Sequence, residues 1–277
     1  MTPPNVAVVG LGCIGGSIVK VLASDVARVR SWSASPEDCA MARALGHHVP
    51  DTLDGALADA DLVVIAVPVQ VIAELAARAM RGTPGTAVIL HCGGVQSGES
   101  LHLDEATHAR IVGTHPLAGS HESGFGAARA DLFEGCTVSI ELRRSAEQER
   151  SAKWLWSTAG AARIDYRSAE EHDVLMAWIS HLPQLASTAL AATFAAGRVD
   201  PQSVGPGARD ATRLAASAFE QWVSLLKARP VVLDEALVQL EASISSIRDA
   251  LRRGDEQALR TIWDSAREWR RAAEPQP

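Results

Sequence analysis

The chain has 277 residues, enough for one large domain or two ordinary ones with a substantial core. Hydrophobic residues make up 47% and charged residues 21%, the balance of a globular protein, and a formal net charge of −7 argues against non-specific attraction to nucleic acid or an anionic membrane. Lys20, Lys153 and Lys227 are the only lysines, which leaves few candidates for a Schiff base or a phosphate grip.

Asn5 to Val9 is a short β-branched run fit for a buried strand. Gly10, Gly12 and Gly15 follow at once in the order G-x-G-x-x-G, and Ile14 to Ala23 has helical spacing. In this order Gly10 permits the turn out of the strand and Gly12 leaves room for a pyrophosphate. Gly15 lets the helix lie close to the strand, and the free N–H groups of the helix start face the phosphates. The stretch Gly10, Gly12, Cys13, Ile14 and Gly15 is therefore the expected centre of a dinucleotide site.

Alternation continues through the first half. Arg28 to Trp32 reads as a strand, and Ser35 caps a helix from Pro36 to Leu45, closed by Gly46. Asp61 to Val67 is nearly continuous apolar, as in a strand covered on both faces, and a helix follows from Val71 to Met80. Thr86 to Leu90, Ala109 to Gly113 and Cys136 to Leu142 complete the predicted strands. This is the sequence form of a Rossmann-type, doubly wound α/β sheet. Its strand ends add Val67, Gly93 and Gly94 to the cofactor set. An NAD site usually carries an acidic residue about twenty residues past the glycines. That place falls on Ser33, with Ser35 nearby, and a serine tolerates a 2′-phosphate, so the sequence leans slightly to NADP over NAD.

From Ser168 the pattern is helical only. Ser168 with Glu171 forms a capping box, and the helix it opens runs to Ala196, ahead of Gly197. Pro183 lies within it and is expected to kink it, freeing the carbonyl near Ile179. Leu233, Leu237, Leu240, Ile244, Ile247 and Leu251 make an apolar seam. Gly254 and Asp255 then lead into a last helix with Leu259, Ile262, Trp263 and Trp269. The boundary is placed between residues 1–167, a dinucleotide-binding domain, and residues 168–277, an all-α domain. The four cysteines have no C-x-x-C spacing, so neither a metal site nor a disulfide framework is expected. With no basic segment ahead of an apolar one at the N-terminus and no unbroken apolar span, a cytoplasmic setting is expected.

Three stretches outside the glycine loop are dense in polar residues: Thr114 to Gly135, Glu170 to Ala186, and Gly205 to Ala215. They contain His115-Pro116 with Ala118-Gly119 and a later Leu132-Phe133, then His172-Asp173 leading into Ser180 to Pro183. Last comes G-x-G-x-R-D-x-T-R, as Gly205, Gly207, Arg209, Asp210, Thr212 and Arg213. With the glycine loop, these motifs resemble those of the prephenate and arogenate dehydrogenases, in order and over most of the chain. The resemblance implies a homodimer joined through the helical domain and the oxidative decarboxylation of a cyclohexadiene carboxylate with NAD or NADP. It implies that His115 accepts the proton of the ring hydroxyl and that Arg213 grips a carboxylate with its bidentate fork. Asp210 would orient neighbouring groups, and Ser120 would bond the substrate side chain. His181 either faces the site or satisfies the carbonyl freed by Pro183, and Trp222 is either a pocket wall or core. His172 and Asp173 read as structural.

The departures matter as much. Where the family has Gly-Ser-x-Lys, this chain has Gly93, Gly94, Val95 and Gln96. The usual glutamate after H-P-x-A-G-x is His121, with Glu122 adjacent, and the histidine ending S-H-L-P-H is Gln184. The changes at Gly94 and Gln184 resemble those expected of relatives that oxidise 4-amino-4-deoxyprephenate, an alternative substrate whose amine lone pair can assist hydride loss without the serine. A β-hydroxy acid dehydrogenase would require a lysine in the helical part, where only Lys227 is available. A cofactor-binding sensor without turnover is the remaining alternative.

Overall fold

The computed structural model describes residues 4–22, 27–119, 122–142 and 145–273. Two compact units meet at the bond between Arg229 and Pro230.

The first unit is built on a seven-stranded sheet. Its strands are β1 (Asn5–Val9), β2 (Arg28–Trp32), β3 (Leu62–Ile65), β4 (Val88–His91), β5 (Ile111–Pro116), β6 (Thr137–Glu141) and β7 (Arg163–Arg167), in the order β2-β1-β3-β4-β5-β6-β7. Strands β1 to β5 are parallel; β6 runs antiparallel to β5, and β7 parallel to β6. The order reverses at β1, whose neighbours are β2 and β3. In such sheets the crevice beyond the carboxyl ends at that reversal receives the ligand.

Strand β1 shows how the sequence produces the two layers. Val6 and Val8 enter one buried cluster with Ile18, Leu90, Phe133 and Trp156. Ala7 and Val9 enter the other with Leu57, Ile65, Ile72 and Ile111. Consecutive side chains of a strand point to opposite faces, so an unbroken apolar run is what a sheet covered on both sides demands. The covering helices are α1 (Cys13–Leu22), α2 (Pro36–Ala44), α3 (Leu53–Leu57), α4 (Ile72–Gly82), α5 (Glu105–Arg110) and α6 (Ala146–Thr158). Ser35 caps α2 by accepting the Asp38 N–H at 3.2 Å, and Gly46 follows at φ +84°, as its position predicts.

Some boundaries differ from the sequence reading. The segment expected as a strand from Ala109 is helix α5 as far as Arg110, and the strand continues to Pro116. Asp104 explains the shift, because its carboxylate accepts the Thr107 N–H at 2.7 Å and starts a helix there. Helices α3 and α6 and strand β7 lie outside the sequence reading. β7 is an edge strand of sequence RIDYR with no buried residue, so it carries no apolar run to announce it.

The capping box forms as expected: Ser168 Oγ accepts the Glu171 N–H at 3.2 Å, and Glu171 accepts the Ser168 N–H at 2.9 Å. It opens α7 (Ala169–Met176). One π-helical stretch, Ala177–His181, separates α7 from α8 (Leu182–Ala196), which ends at Gly197. Pro183 has no N–H for the Ile179 carbonyl, and the wider turn is the local answer. Helices α9 (Pro206–Thr212) and α10 (Phe219–Ala228) finish the first unit.

The second unit is two helices in contact, α11 (Pro230–Arg253) and α12 (Glu256–Ala272). Its apolar seam is only partly buried. Leu233 and Ala236 are covered, whereas Ile244, Leu251, Trp263 and Trp269 are each more than half exposed. No described helix is long and apolar enough to cross a membrane.

Candidate active site

The glycine turn lies where the order of the sheet reverses. Gly10 N–H donates to the Trp32 carbonyl of β2 at 2.8 Å, and Ala66 N–H to the Val9 carbonyl at 2.7 Å. Gly10 has φ +99°, and a Cβ there would stand 2.2 Å from the Ala66 carbonyl oxygen. A Cβ on Gly15 would stand 1.9 Å from the Gly10 carbonyl oxygen, so α1 approaches the strand as closely as the motif predicts. Around Gly12, by contrast, a Cβ would meet nothing within 4 Å. Open space at the start of α1, with closeness on its other side, is the arrangement a pyrophosphate needs.

A cavity of about 390 Å³ continues from this turn and is lined by Gly10, Gly12, Trp32, Ser33, Val67 and Asp38, among others. Ser33, expected from its place in the sequence at the ribose of a dinucleotide, lines this cavity. Ser35 does not line the cavity; its hydroxyl is the cap of α2. Cys13 turns its thiol to the Ala127 carbonyl at 3.6 Å, and Ile14 packs against the core. The chain thus offers a turn, a helix start and a cavity that suit a nicotinamide dinucleotide.

Beyond β4 and β5 lies the second half of the site. His115 sits at the carboxyl end of β5, paired in register with Ser139 of β6. Its ring remains partly exposed. His115 Nδ1 is 3.0 Å from His172 Nε2, and His172 Nδ1 is 2.8 Å from Asp173 Oδ1. Asp173 accepts the backbone N–H groups of Gln96 at 2.8 Å and Ser97 at 3.0 Å. Burial alone would raise the carboxyl pKa of Asp173. The His172 ring N–H and those two backbone donors outweigh burial and hold it below the usual range. An ionised carboxylate only accepts hydrogen bonds, which assigns the protons along the row. His172 Nδ1–H donates to Asp173, His115 Nδ1–H donates to His172 Nε2, and His115 Nε2 keeps a free lone pair.

Burial is the chief cause that lowers the His115 pKa to about 3, and His172 and His91 add to it. The imidazole is a neutral acceptor at physiological pH. Beside it, a Cβ on Gly94 would lie 3.8 Å from His115 Nε2 and 3.2 Å from a Leu225 methyl, so residue 94 faces the free edge of the ring. Gly93 is packed shut from the other side, with a Cβ position 2.6 Å from Ile72 Cδ1.

The other expected site residues are gathered only in part. His181 is buried at the end of the π-helical stretch and meets the Trp222 ring edge-on, centroids 6.1 Å apart. Its pKa is also lowered, chiefly by burial. Gln184 is buried and donates to the Leu214 carbonyl at 2.8 Å, which ties α8 to the residue after Arg213. Arg213 is exposed and lines a cavity of about 980 Å³ with Glu122, Arg129, Ser217 and Gln221; His115 is not among that cavity's lining residues. Asp210 is exposed on α9. Ser120 and His121 lie outside the described residues.

His172 and Asp173 form a buried row behind His115, which sequence spacing could not reveal because the partners lie 57 and 77 positions away. Gln96 stands where the family motif has a lysine. It is fully buried, with its amide on the Ser139 carbonyl at 3.3 Å and its stem against Gly113. Among the described residues, no group of three or more His, Cys, Asp or Glu side chains could hold a metal ion.

A phosphate-admitting glycine turn at the reversal of a parallel sheet, with a neutral imidazole at the neighbouring strand ends, defines a nicotinamide-dependent dehydrogenase. The family model described as "Prephenate dehydrogenase, nucleotide-binding domain" matches residues 23–161, and "Prephenate dehydrogenase, dimerization domain" matches residues 168–264. The cyclohexadienyl dehydrogenase of Zymomonas mobilis is 30% identical over 89% of this chain and 88% of its own length. The prephenate dehydrogenase of Lactococcus lactis is 27% identical over 98% of this chain and 77% of its own. Among solved structures, a prephenate dehydrogenase from A. aeolicus, in complex with hydroxyphenyl propionate and NAD+, has the same fold. Its TM-score is 0.88 with 24% identity, and the match covers 99% of both chains. The chain belongs to the prephenate dehydrogenase family.

Proposed function

We propose that the protein oxidises and decarboxylates a prephenate-like cyclohexadiene carboxylate, with His115 as the base that receives the proton of the ring hydroxyl. The observation that carries this reading is the free Nε2 lone pair of a neutral imidazole beside Gly94, at the carboxyl ends of the parallel strands. When bound, the nicotinamide supplies the acceptor for a hydride from the ring carbon. The product ring is aromatic, so much of the driving force belongs to the substrate, and positioning and proton acceptance are left to the protein. Arg213, exposed on the wall of a large cavity, is the carboxylate grip in this reading. Gln184 holds the backbone next to it, and His181 with Trp222 forms the apolar-edged wall. Asp210, Ser120 and His121 complete the substrate set as expected from the motifs.

The cofactor reading favours NAD, against the slight lean of the sequence to NADP. Ser33 leaves room for a 2′-phosphate, yet the cavity wall carries two carboxylates, Asp38 and Glu74, against one guanidinium, Arg78, a balance that opposes the extra negative charge. The division at residue 168 into a cofactor domain and a helical domain is supported by the two family models, which end at 161 and begin at 168. A homodimer through the helical part is supported by the exposed Ile244, Leu251, Trp263 and Trp269, an apolar set too large for a single pair of helices to hide. Four cysteines, none of them in a disulfide, suit a reducing, cytoplasmic setting.

A second reading, oxidation of 4-amino-4-deoxyprephenate, is favoured by one observation: residue 94, which faces His115 Nε2, has no hydroxyl. The test is reduced-nicotinamide formation with prephenate, arogenate and the amino analogue, each with NAD and NADP. Turnover of a cyclohexadiene with NAD ahead of NADP is the expected result, and the preferred substrate decides between the two readings. Cofactor binding with no reduction by any of the three would overturn both and leave a sensor.

A further inference from the structure

The start of α7 is already provided for: Ser168 and Glu171 satisfy each other's backbone N–H groups, and neither needs His172 or Asp173. Yet Asp173 is 1% exposed and His172 is fully buried. An ionised carboxylate out of water is costly unless its lone pairs are taken, and here three hydrogen bonds do so, from two backbone N–H groups and an imidazole whose other nitrogen ends on His115. A helix does not require this row. The base at its end does.

We infer that His172 and Asp173 are positioning residues for proton transfer, fixing His115 as the Nδ1–H tautomer and receiving the positive charge created when its Nε2 takes the substrate's proton. This rests on His115 being the base, as proposed above. The substrate O–H bond breaks and an N–H bond forms at His115 Nε2. The proton on His115 Nδ1 passes along the 3.0 Å hydrogen bond to His172 Nε2. His115 ends neutral, and His172 becomes an imidazolium with its Nδ1–H on the Asp173 carboxylate, 2.8 Å away. Within the protein only these two protons move; the hydride and the carboxylate both leave from the substrate. The arrangement answers a difficulty in the site, for a half-buried His115 with His91, His172 and His181 nearby holds a full charge badly. Moving the charge one ring along brings it into contact with the one buried carboxylate of the cluster. The same carboxylate anchors Gln96 and Ser97, so the segment after Gly94 and the base are set by one group.

The experiment is Asp173→Asn. An amide can donate to His172 Nδ1, which reverses both rings and turns His115 Nε2 from acceptor to donor. The expected result is a fall in kcat of about 10²-fold with KM and the dissociation constant for NAD changed less than about threefold, since neither depends on the tautomer. A purely structural role would instead raise KM and weaken NAD binding while kcat kept pace. Nitrogen-15 NMR of the imidazoles in the unmutated protein is the second arm and needs neither substrate nor a stable variant. Both His115 and His172 are expected as neutral Nδ1–H forms. A proton on His115 Nε2, or an Asp173→Asn enzyme with kcat within about threefold of the parent, overturns the inference. If no cyclohexadiene is turned over at all, the proposed function fails, and the NMR result still decides the proton assignment.

Discussion

Replacing His115 with asparagine is expected to lower kcat by about 10³-fold while NAD binding stays within about twofold. The side chain lies at the end of β5, away from the glycine turn, and an amide of similar reach retains the contact with His172 Nε2. What is lost is the acceptor at Nε2. Stopped-flow and steady-state kinetics separate the two terms, and a matched fall of kcat and affinity would place His115 in the framework instead of in the chemistry.

The same substitution carries a signature in pH. The folded-state value of His115, about 3, lies below the 6.5 of an ordinary imidazole, so the unfolded chain binds this proton first as pH falls. The group's contribution to stability is complete above pH 6.5 and is lost progressively as the pH drops from there towards about 3. His115→Asn removes that loss, so Tm should fall less on acidification from about pH 7.5 to about pH 5 than in the parent. In the parent, His115 stays neutral over this range and contributes no acid limb to kcat/KM.

Gly15→Ala is expected to abolish measurable NAD binding and to cost about 1–3 kcal/mol in stability. The new Cβ would stand 1.9 Å from the Gly10 carbonyl oxygen and 3.0 Å from its carbon, both backbone atoms that cannot swing aside. Helix α1 has to move off β1, and its N–H groups leave the place they hold for phosphate. Gly12→Ala is the control. Its Cβ meets nothing within 4 Å, so Tm should stay within a degree or two of the parent while NAD affinity falls at least about tenfold. Thermal melts with and without NAD measure both. Equal effects of the two substitutions would mean that the turn serves folding alone.

The residues that announced themselves in the sequence were those whose chemistry is local. Gly10, Gly12 and Gly15 are defined by their own backbone neighbours, and Ser168 with Glu171 needs only a helix turn. Val6 to Val9 reads correctly because burial on both faces leaves an unbroken apolar run. Residues whose environment comes from afar were hidden. Asp173 looks like any acid near a helix start until Gln96 and Ser97 arrive from the loop after β4. Gln96 occupies the place of a pocket lysine in the motif, yet β5 and β6 close over it. β7 carries alternating charges, Arg163, Asp165 and Arg167, and takes its place from pairing with β6 and not from burial. Arg213 was legible as a motif residue, but not the cavity it lines.

The central claim is that His115 Nε2 receives the ring hydroxyl of the substrate. A crystal structure of the protein with NAD+ and 4-hydroxyphenylpropionate tests it most directly. The account predicts the phenolic oxygen at roughly 3 Å from His115 Nε2 and the carboxylate against Arg213. A phenolic oxygen bonded elsewhere, with His115 Nε2 facing protein or bare solvent, would contradict it.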